Sequence, residues 1–217
     1  MKIIAIADLH GHLPALESAD VVCVAGDITP DSCRQDADRQ WRWFYESYIP
    51  WIGGLDCKKV ITVAGNHDYC FEKYTPANTD KHIYLENNGA TIAGVTFYGT
   101  PNAPKPVNNI AFCRDSGELS GIFSRIPDVL DVLICHAPPY GAGGCGHPSG
   151  GPEDLGCREL TEALRDKRIG HIFCGHIHTG NHETYLWRGK KITNVALCGD
   201  NKQPAYPPTG VAIIPKP

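Results

Sequence analysis

The sequence of 217 residues predicts an α/β fold in which a mixed β-sheet forms the core. Short apolar runs rich in β-branched residues recur without alternating polar positions, which is typical of strands buried on both faces. Stretches with helical spacing of large apolar residues separate some of these runs. The runs that carry the prediction are residues 3–7, 21–25, 60–64, 132–135 and 172–174.

Two helices are expected between the strands. The first covers residues 36–48, and Pro50 is expected to stop it because proline cannot continue the hydrogen-bond ladder. The second covers residues 153–167. Core-facing apolar side chains at helical spacing mark both helices: Trp41, Phe44, Tyr45 and Tyr48 in the first, and Leu155, Leu160, Ala163 and Leu164 in the second.

Two hairpins make the predicted sheet mixed rather than purely parallel. One joins residues 91–93 to 95–98 and the other joins 183–187 to 192–196, each through a turn that contains glycine. Residues 211–214 are expected to add a last strand. The sheet therefore has antiparallel strands in its middle and at its end.

Length and charge narrow the class of protein. A chain of this length without a repeat or a long linker is expected to form one domain over residues 1–217. Its 20 basic and 24 acidic residues give a net charge of -4, which disfavours a broad basic face and a duplex nucleic-acid partner. Because no apolar run is long enough for a signal-peptide core or a membrane span, we expect a cytoplasmic protein without a membrane partner.

The ten cysteines have no C-x-x-C spacing, so zinc-ribbon and thioredoxin-like motifs are absent from the sequence. Several lie inside apolar runs, as Cys23 and Cys174 do, where a thiol behaves as a small hydrophobe. We therefore expect reduced cysteines that mostly fill the core.

Chemically active residues follow each of the five apolar runs. In open α/β sheets, ligands bind outside the carboxyl ends of the strands. If these strands are parallel neighbours, their ends meet at one crevice. The candidate metal-binding residues at these ends are Asp8, His10, Asp27, Asn66, His136, His176 and His178.

These seven candidates are oxygen and imidazole donors, which suit Mn, Fe or Zn and do not form a thiolate zinc site. Seven donors exceed the needs of one tetrahedral ion, whereas two ions that share a carboxylate would use them all. Gly26, Gly65 and Gly175 lie beside the donors and are expected to leave room near the metals.

The motifs resemble those of the calcineurin-like metallophosphoesterase superfamily. The matched blocks are Asp8-x-His10, Gly26-Asp27, Gly65-Asn66-His67-Asp68, His136 and Gly175-His176-x-His178. They lie between residues 8 and 178, and no position of the pattern is missing. The stretches 98–101 and 136–141 are similar to the small metallophosphoesterase-domain-containing branch of this superfamily.

The resemblance implies a two-sheet mixed β-sandwich flanked by helices, with a two-metal site at the carboxyl ends of the strands. Carried over by position, the donors divide as follows: Asp8, His10 and His178 on the first metal, Asn66, His136 and His176 on the second, and Asp27 between them. His67 would be the general acid or charge stabiliser that faces the substrate, with Asp68 orienting it.

The implied activity is hydrolysis of a small phosphodiester, including a cyclic nucleotide, or of a phosphomonoester by a hydroxide that bridges the metals. Mn or Fe are the expected ions, with Zn, Ni or Co as alternatives. Two divalent ions and two carboxylates leave the site with a charge of about +2, which attracts phosphate.

Other functions remain open at this point. A catalytically idle scaffold of the same fold would bind partner proteins and stay stable without metal. A redox sensor would change its free-thiol count with mild oxidant. The oligomeric state is left open as well.

Overall fold

Two mixed β-sheets lie face to face, with helices on their outer faces. The computed structural model describes residues 1–105, 110–142, 145–146 and 153–214. The first sheet has the order β13-β1-β2-β3-β4. Its strands are β1 (Lys2–Ile6), β2 (Ala19–Ala25), β3 (Cys57–Val63), β4 (His82–Tyr84) and β13 (Thr209–Ala212). Strands β1 to β4 are parallel, and β13 pairs antiparallel with β1.

The second sheet has the order β11-β12-β10-β9-β6-β5. Its strands are β5 (Asn88–Ile92), β6 (Val95–Thr100), β9 (Val129–Cys135), β10 (Arg168–Cys174), β11 (Tyr185–Trp187) and β12 (Lys190–Asn194). Strands β6, β9, β10 and β12 are parallel, and the two edge strands pair antiparallel. A short parallel ribbon joins β7 (Ala103–Pro104) to β8 (Cys113–Arg114). The predicted fold class and the two-sheet sandwich are both confirmed.

Strand β2 shows why the apolar runs are continuous. Val21, Cys23 and Ala25 point into the core between the two sheets. Val22 and Val24 point to the outer face, under the helices that follow β2. Successive strand residues face opposite sides, so a strand covered on both sides needs apolar residues at every position. The free thiol of Cys23 is one such core residue.

The first predicted helix is longer than expected. It consists of α1 (Ala37–Trp43), a π-helical turn over Phe44–Tyr48, and α2 (Ile49–Gly54). The side chain of Asp36 caps its beginning by accepting the backbone N–H of Arg39. The expectation that Pro50 ends this helix is wrong.

The π-helical turn explains how the helix passes Pro50. The backbone N–H of Ile49 donates to the carbonyl of Phe44, five residues earlier. This wider turn loosens the regular ladder at the point where the proline ring lacks a donor and would crowd the preceding turn. Pro50 lies in the first turn of α2, where its missing N–H costs little.

The other helices are α3 (Cys70–Lys73), α4 (Ser116–Phe123) and α5 (Arg158–Ala163). Helix α5 is much shorter than the predicted helix over 153–167. Backbone N–H groups of Gly141 and Gly156 donate to the carboxylate of Asp154, which holds this segment in a loop. Leu155 is therefore about half exposed instead of packed in the core.

Both predicted hairpins are present. Strand β5 pairs with β6 across Ala93–Gly94, and β11 pairs with β12 across Arg188–Gly189. All four turn residues have positive φ, as tight two-residue hairpin turns require. The predicted last strand is present as β13, but it lies two residues earlier than the predicted range 211–214, over Thr209–Ala212. Part of the predicted loop 138–152 lies outside the described residues.

No helix in the described ranges is long and apolar enough to cross a membrane.

All ten cysteines carry free thiols, and all except Cys57 are buried. Burial raises the pKa of the thiol of Cys113 to about 11. Burial likewise raises the pKa of Cys23, Cys70, Cys135 and Cys157, so these thiols resist ionisation and pack as apolar groups.

Two buried histidines in the sheets are neutral at physiological pH. His171 Nε2 lies 2.9 Å from Thr193 Oγ1, and His82 Nε2 lies 3.0 Å from Thr62 Oγ1. Burial lowers the pKa of each ring from 6.5 to about 4. The unfolded chain therefore binds protons between these two pH values while the folded chain does not.

We expect the free energy of unfolding to decrease as pH falls from 6.5 towards 4, by on the order of 3 kcal/mol for each of these two rings. The variant His171→Gln should lose less stability than the parent over this range, because its side chain does not titrate. Urea unfolding at pH 7 and pH 5 measures the difference. Equal losses in the two chains would contradict the assignment.

Candidate metal centre

All the predicted site residues come together at one end of the sandwich. Strands β1, β2 and β3 contribute from the first sheet, and β9 and β10 contribute from the second. The strand ends therefore meet across the gap between two sheets, not along one sheet as the sequence alone suggested. His176 is partly buried, and all the other site residues are fully buried: Asp8, His10, Asp27, Asn66, His67, Asp68, His136 and His178.

The backbone is strained at four of these positions. Asp8, His10, Asp27 and His176 have φ values of +52°, +43°, +52° and +68°. Side-chain-bearing residues rarely adopt this left-handed conformation, which costs on the order of 1–3 kcal/mol at each position. The backbone N–H of Asp8 donates to the carbonyl of Gly26, which helps to hold this strained turn. Strain of this kind is typical of functional sites.

Glycines beside the donors leave the space that the side chains use. A Cβ atom on Gly26 would overlap the ring of His136, and one on Gly175 would overlap the carboxylate of Asp8. Gly26 also has a φ of +97°, which disfavours any larger residue. These close approaches confirm that the site needs glycine at these strand ends.

Four donors form a first cluster: Asp8, His10, Asp27 and His178, whose candidate ligand atoms all lie within 4.8 Å of one another. His178 Nε2 lies 3.2 Å from Asp8 Oδ1 and 3.2 Å from His10 Nε2. His10 Nε2 lies 3.9 Å from Asp27 Oδ2. The 3.2 Å between the two Nε2 atoms is about the separation of two nitrogens that each lie about 2.0–2.1 Å from one ion.

The second cluster contains Asn66, His136 and His176. Asn66 Oδ1 lies 2.8 Å from both His136 Nε2 and His176 Nδ1. His136 Nε2 also lies 3.4 Å from Asp27 Oδ1. Asp27 therefore directs Oδ1 towards the second cluster and Oδ2 towards the first, which is the arrangement expected of a bridging carboxylate.

Hydrogen bonds behind two of the rings show that a cation fits between these donors. His136 Nδ1 lies 2.9 Å from the carbonyl of Ala25, and this contact places the proton on Nδ1 and the lone pair on Nε2. That lone pair faces the side-chain oxygens of Asn66 and Asp27. Because acceptors that face one another repel unless a cation lies among them, the donor set fits a metal ion.

The same logic applies in the first cluster. His178 Nδ1 lies 3.0 Å from the carbonyl of Gly199, which leaves its Nε2 facing Asp8 and His10. Burial alone would lower the pKa of His178, but the hydrogen bond and charge of Asp8 outweigh it and raise this pKa. Asp8 thus favours positive charge at this point, whether a protonated ring or a bound cation provides it.

The two buried carboxylates are ionised despite their burial. Burial would raise their pKa values, but neighbouring imidazoles lower them further than burial raises them. The principal partners are His178 for Asp8 and His136 for Asp27. Burial lowers the pKa of His10 and His176 to about 4, so these rings are neutral at physiological pH, as metal ligands must be.

His67 lies beside the first cluster and has a carboxylate behind its ring. His67 Nδ1 lies 3.2 Å from Asp31 Oδ1, and its Nε2 lies 3.9 Å from Asp27 Oδ2. The same oxygen of Asp31 lies 3.4 Å from His10 Nδ1. Asp31 therefore orients His67 and contacts a metal-ligand candidate at the same time.

The expectation that Asp68 orients the His67 ring is wrong. Asp68 accepts hydrogen bonds from the backbone N–H groups of Ile28, Thr29 and Gly65, and from the hydroxyl of Thr29. Burial and the charge of Asp27 raise the pKa of Asp68 to about 6, against the opposing effect of these donors. Asp68 fastens the loop after β2 to the loop after β3, and Asp31 is the carboxylate that faces the ring.

Sequence reasoning missed two residues of this site. Asp31 follows Asp27 by four positions, but one aspartate after a proline looks like an ordinary turn or cap residue. Lys202 brings its Nζ atom to 3.0 Å from His10 Nε2, although it lies in a segment without any motif. Contacts across this many residues leave no local signal in a sequence.

The sequence matches the family described as calcineurin-like phosphoesterase over residues 1–180, so the chain belongs to that family. Metallophosphoesterase domain-containing protein 1 of Homo sapiens is 26% identical over 95% of this chain and 69% of its own length. A UPF0046 protein of Caenorhabditis elegans is 29% identical over 100% of this chain and 76% of its own length. The resemblance to the small metallophosphoesterase-domain-containing branch is therefore confirmed.

A further relative is much longer than this chain. Probable rhamnogalacturonate lyase C of Emericella nidulans is 29% identical over 95% of this chain, which spans 19% of the length of that protein.

Two solved structures share the fold. Phosphopantetheinyl hydrolase from Mycobacterium tuberculosis superimposes with a TM-score of 0.57 at 15% identity, over 93% of this chain and 90% of the other. A dimetal phosphatase from Danio rerio superimposes with a TM-score of 0.52 at 12% identity, over 94% and 89%. At identities this low, the likeness shows the common fold alone.

Substitution of Asp68 should lower the free energy of unfolding more than substitution of Asp31. We expect Asp68→Asn to lower the free energy of unfolding by about 1–3 kcal/mol, because an amide nitrogen would face buried N–H donors. Asp31→Asn should change it by less than about 0.5 kcal/mol, because Asp31 is exposed. Urea unfolding of both variants compares them. Equal losses would contradict the positioning role of Asp68.

Substitutions in the two clusters should affect the binding of different metal ions. We expect His136→Ala and His10→Ala each to retain one divalent ion, and Asp27→Ala to weaken both, because Asp27 faces both clusters. Metal analysis after equilibrium dialysis against Mn measures the number of ions per chain. Loss of both ions in His136→Ala and in His10→Ala would show that the clusters do not bind independently.

Proposed function

We propose that the chain is a two-metal phosphoesterase that hydrolyses phosphodiesters, including cyclic nucleotides, or phosphomonoesters. The observation that carries this proposal is the position of Asp27 between two clusters of donors, with one carboxylate oxygen towards each. Family membership supports a phosphoesterase, the four donors around Asp8 support the first ion, and the contacts of Asn66 with His136 and His176 support the second.

The proposed ligands follow the two clusters. Asp8, His10 and His178 would hold the first ion, Asn66, His136 and His176 the second, and Asp27 both. Oxygen and imidazole donors favour Mn or Fe, and also accept Zn, Ni or Co. When bound, two such ions supply a hydroxide nucleophile at neutral pH and neutralise the oxygens of the phosphoryl group.

His67 would act on the leaving group. Its Nδ1 faces Asp31, and its Nε2 points to the side of Asp27 where the first cluster lies. Asp31 holds the ring in this orientation. Nε2 can then donate a proton to the leaving oxygen, or the protonated ring can stabilise the negative charge on that oxygen. His67 is thus the proposed catalytic residue, and Asp31 is its positioning residue.

The proposed partner is a small phosphorylated or phosphodiester molecule. A net charge of -4 supports neither a duplex nucleic acid nor an anionic membrane surface as a partner. We further propose a cytoplasmic location, which the free and mostly buried thiols support.

The function is tested with chromogenic phosphodiesters and phosphomonoesters in the presence of each candidate metal. We expect turnover with Mn, and a loss of about 10²–10⁴-fold in His67→Ala, because general acid catalysis contributes about this factor. The metal content of His67→Ala should remain at the parent value. Asp31→Asn should lose less turnover, because it acts through His67.

Two outcomes would contradict the proposal. Absence of hydrolysis with Mn, Fe, Zn, Ni and Co would reject a phosphoesterase and favour a binding scaffold. An equal loss of metal and turnover in His67→Ala would reject its catalytic role and make it a ligand.

A further inference from the structure

A turn after β12 brings a lysine to the first cluster. Lys202 Nζ lies 3.0 Å from His10 Nε2 and 3.4 Å from His178 Nε2. These two ring nitrogens are the ones proposed to bind the first ion. A lysine ammonium has three donors and no acceptor, so it binds a ring nitrogen through the lone pair of that nitrogen when the nitrogen carries no proton.

The ammonium and the ion need the same electron pairs. An imidazole nitrogen has one lone pair, which either accepts a hydrogen bond or binds a metal ion. In His178 the other nitrogen, Nδ1, is already engaged with the carbonyl of Gly199 at 3.0 Å. The ring therefore has only Nε2 to offer to Lys202 or to the metal.

We propose that Lys202 is a tethered cation that competes with the first metal ion for His10 and His178. The proposal rests on the two-ion centre proposed above, and it adds a residue that controls how readily the ion binds.

The charges of the cluster explain why an ammonium occupies this place. Asp8 and Asp27 are buried, and a buried carboxylate is costly unless positive charge lies close to it. Lys202 provides one positive charge, whereas a divalent ion provides two and forms direct bonds to the donors. The ion can therefore replace the ammonium. The affinity of the site for the ion is reduced, because the contacts of Lys202 with His10 and His178 must first be broken.

Only the side chain of Lys202 needs to move for this exchange. Its backbone N–H donates to the carbonyl of Gly199 at 2.9 Å, and its own carbonyl lies 3.0 Å from His12 Nε2. Gly199 N–H also donates to the carbonyl of Gln203 at 3.0 Å, which closes the turn. Because Lys202 is half-buried at the rim of the site, its ammonium can swing into solvent while the turn stays in place.

The competition should act on one ion and spare the other. Asn66 contacts His136 and His176 in the second cluster, and these contacts involve neither ring nitrogen that Lys202 touches. The second ion should therefore bind more tightly, and the first should bind last and exchange most readily. At limiting metal the chain should hold a single ion.

Calorimetric titration of Mn into the chelator-treated full chain tests this inference. We expect two binding events in the parent, and Lys202→Met should tighten the weaker event by about tenfold or more, since methionine keeps the length and removes the charged donor. The other event should not change. Lys191→Met is the matched control, because Lys191 is exposed on β12, and it should leave both events unchanged.

Amine acetylation read by mass spectrometry provides a second measurement. We expect acetylation of Lys202 to increase when Mn saturates the parent, while acetylation of Lys191 stays constant. An unchanged weaker event in Lys202→Met, or acetylation of Lys202 that does not respond to Mn, would overturn the competition and leave the two-ion centre standing. Binding of fewer than two ions by all three chains would overturn both proposals.

Discussion

The structure of this site depends on one buried carboxylate, that of Asp27. Its Oδ1 accepts the backbone N–H of His67 and faces His136, while its Oδ2 faces His10. A buried anion is stable only where donors or cations surround it. Strands from two sheets must therefore bring imidazoles to the same point, and the sandwich provides this because their carboxyl ends meet there. The two donor clusters and the backbone N–H of His67 all contact this one carboxylate.

Two carboxylates near the site have different roles: Asp68 stabilises the loops, and Asp31 contacts the candidate catalytic ring. Asp68 lies in the interior and joins two loops through backbone amides, whereas Asp31 lies at the rim and contacts ring nitrogens. The loops so joined carry residues such as Asp27 in strained left-handed conformations. Strain of this kind persists only where the surrounding hydrogen bonds over-determine the backbone, and Asp68 supplies several of those bonds. The rigidity that Asp68 gives to these loops keeps the donors in place.

Lys202 gives the site a property that its motifs do not imply. A centre with two buried carboxylates attracts any nearby cation, and the chain contributes one of its own at the first cluster. The second cluster has Asn66 as its oxygen donor besides Asp27, so it has less need of a positive side chain. The two donor clusters thus differ in the positive charge beside them, although similar donor types build both.

The central strands of the sandwich and the candidate metal donors could be predicted from the sequence, because each candidate donor lies within four residues of the end of an apolar run. Residue order along such a run and the turn after it are local properties, and a sequence records them directly. Contacts in the folded chain place Asp31 against the ring of His67, join two loops through Asp68 and bring Lys202 to His10. A π-helical turn carries the first helix past Pro50, and Asp154 keeps the start of the predicted last helix in a loop. These outcomes depend on contacts between residues that are distant in the chain, or on competing local hydrogen bonds. A sequence pattern does not show which of these contacts forms, because that depends on the energy of the whole folded chain.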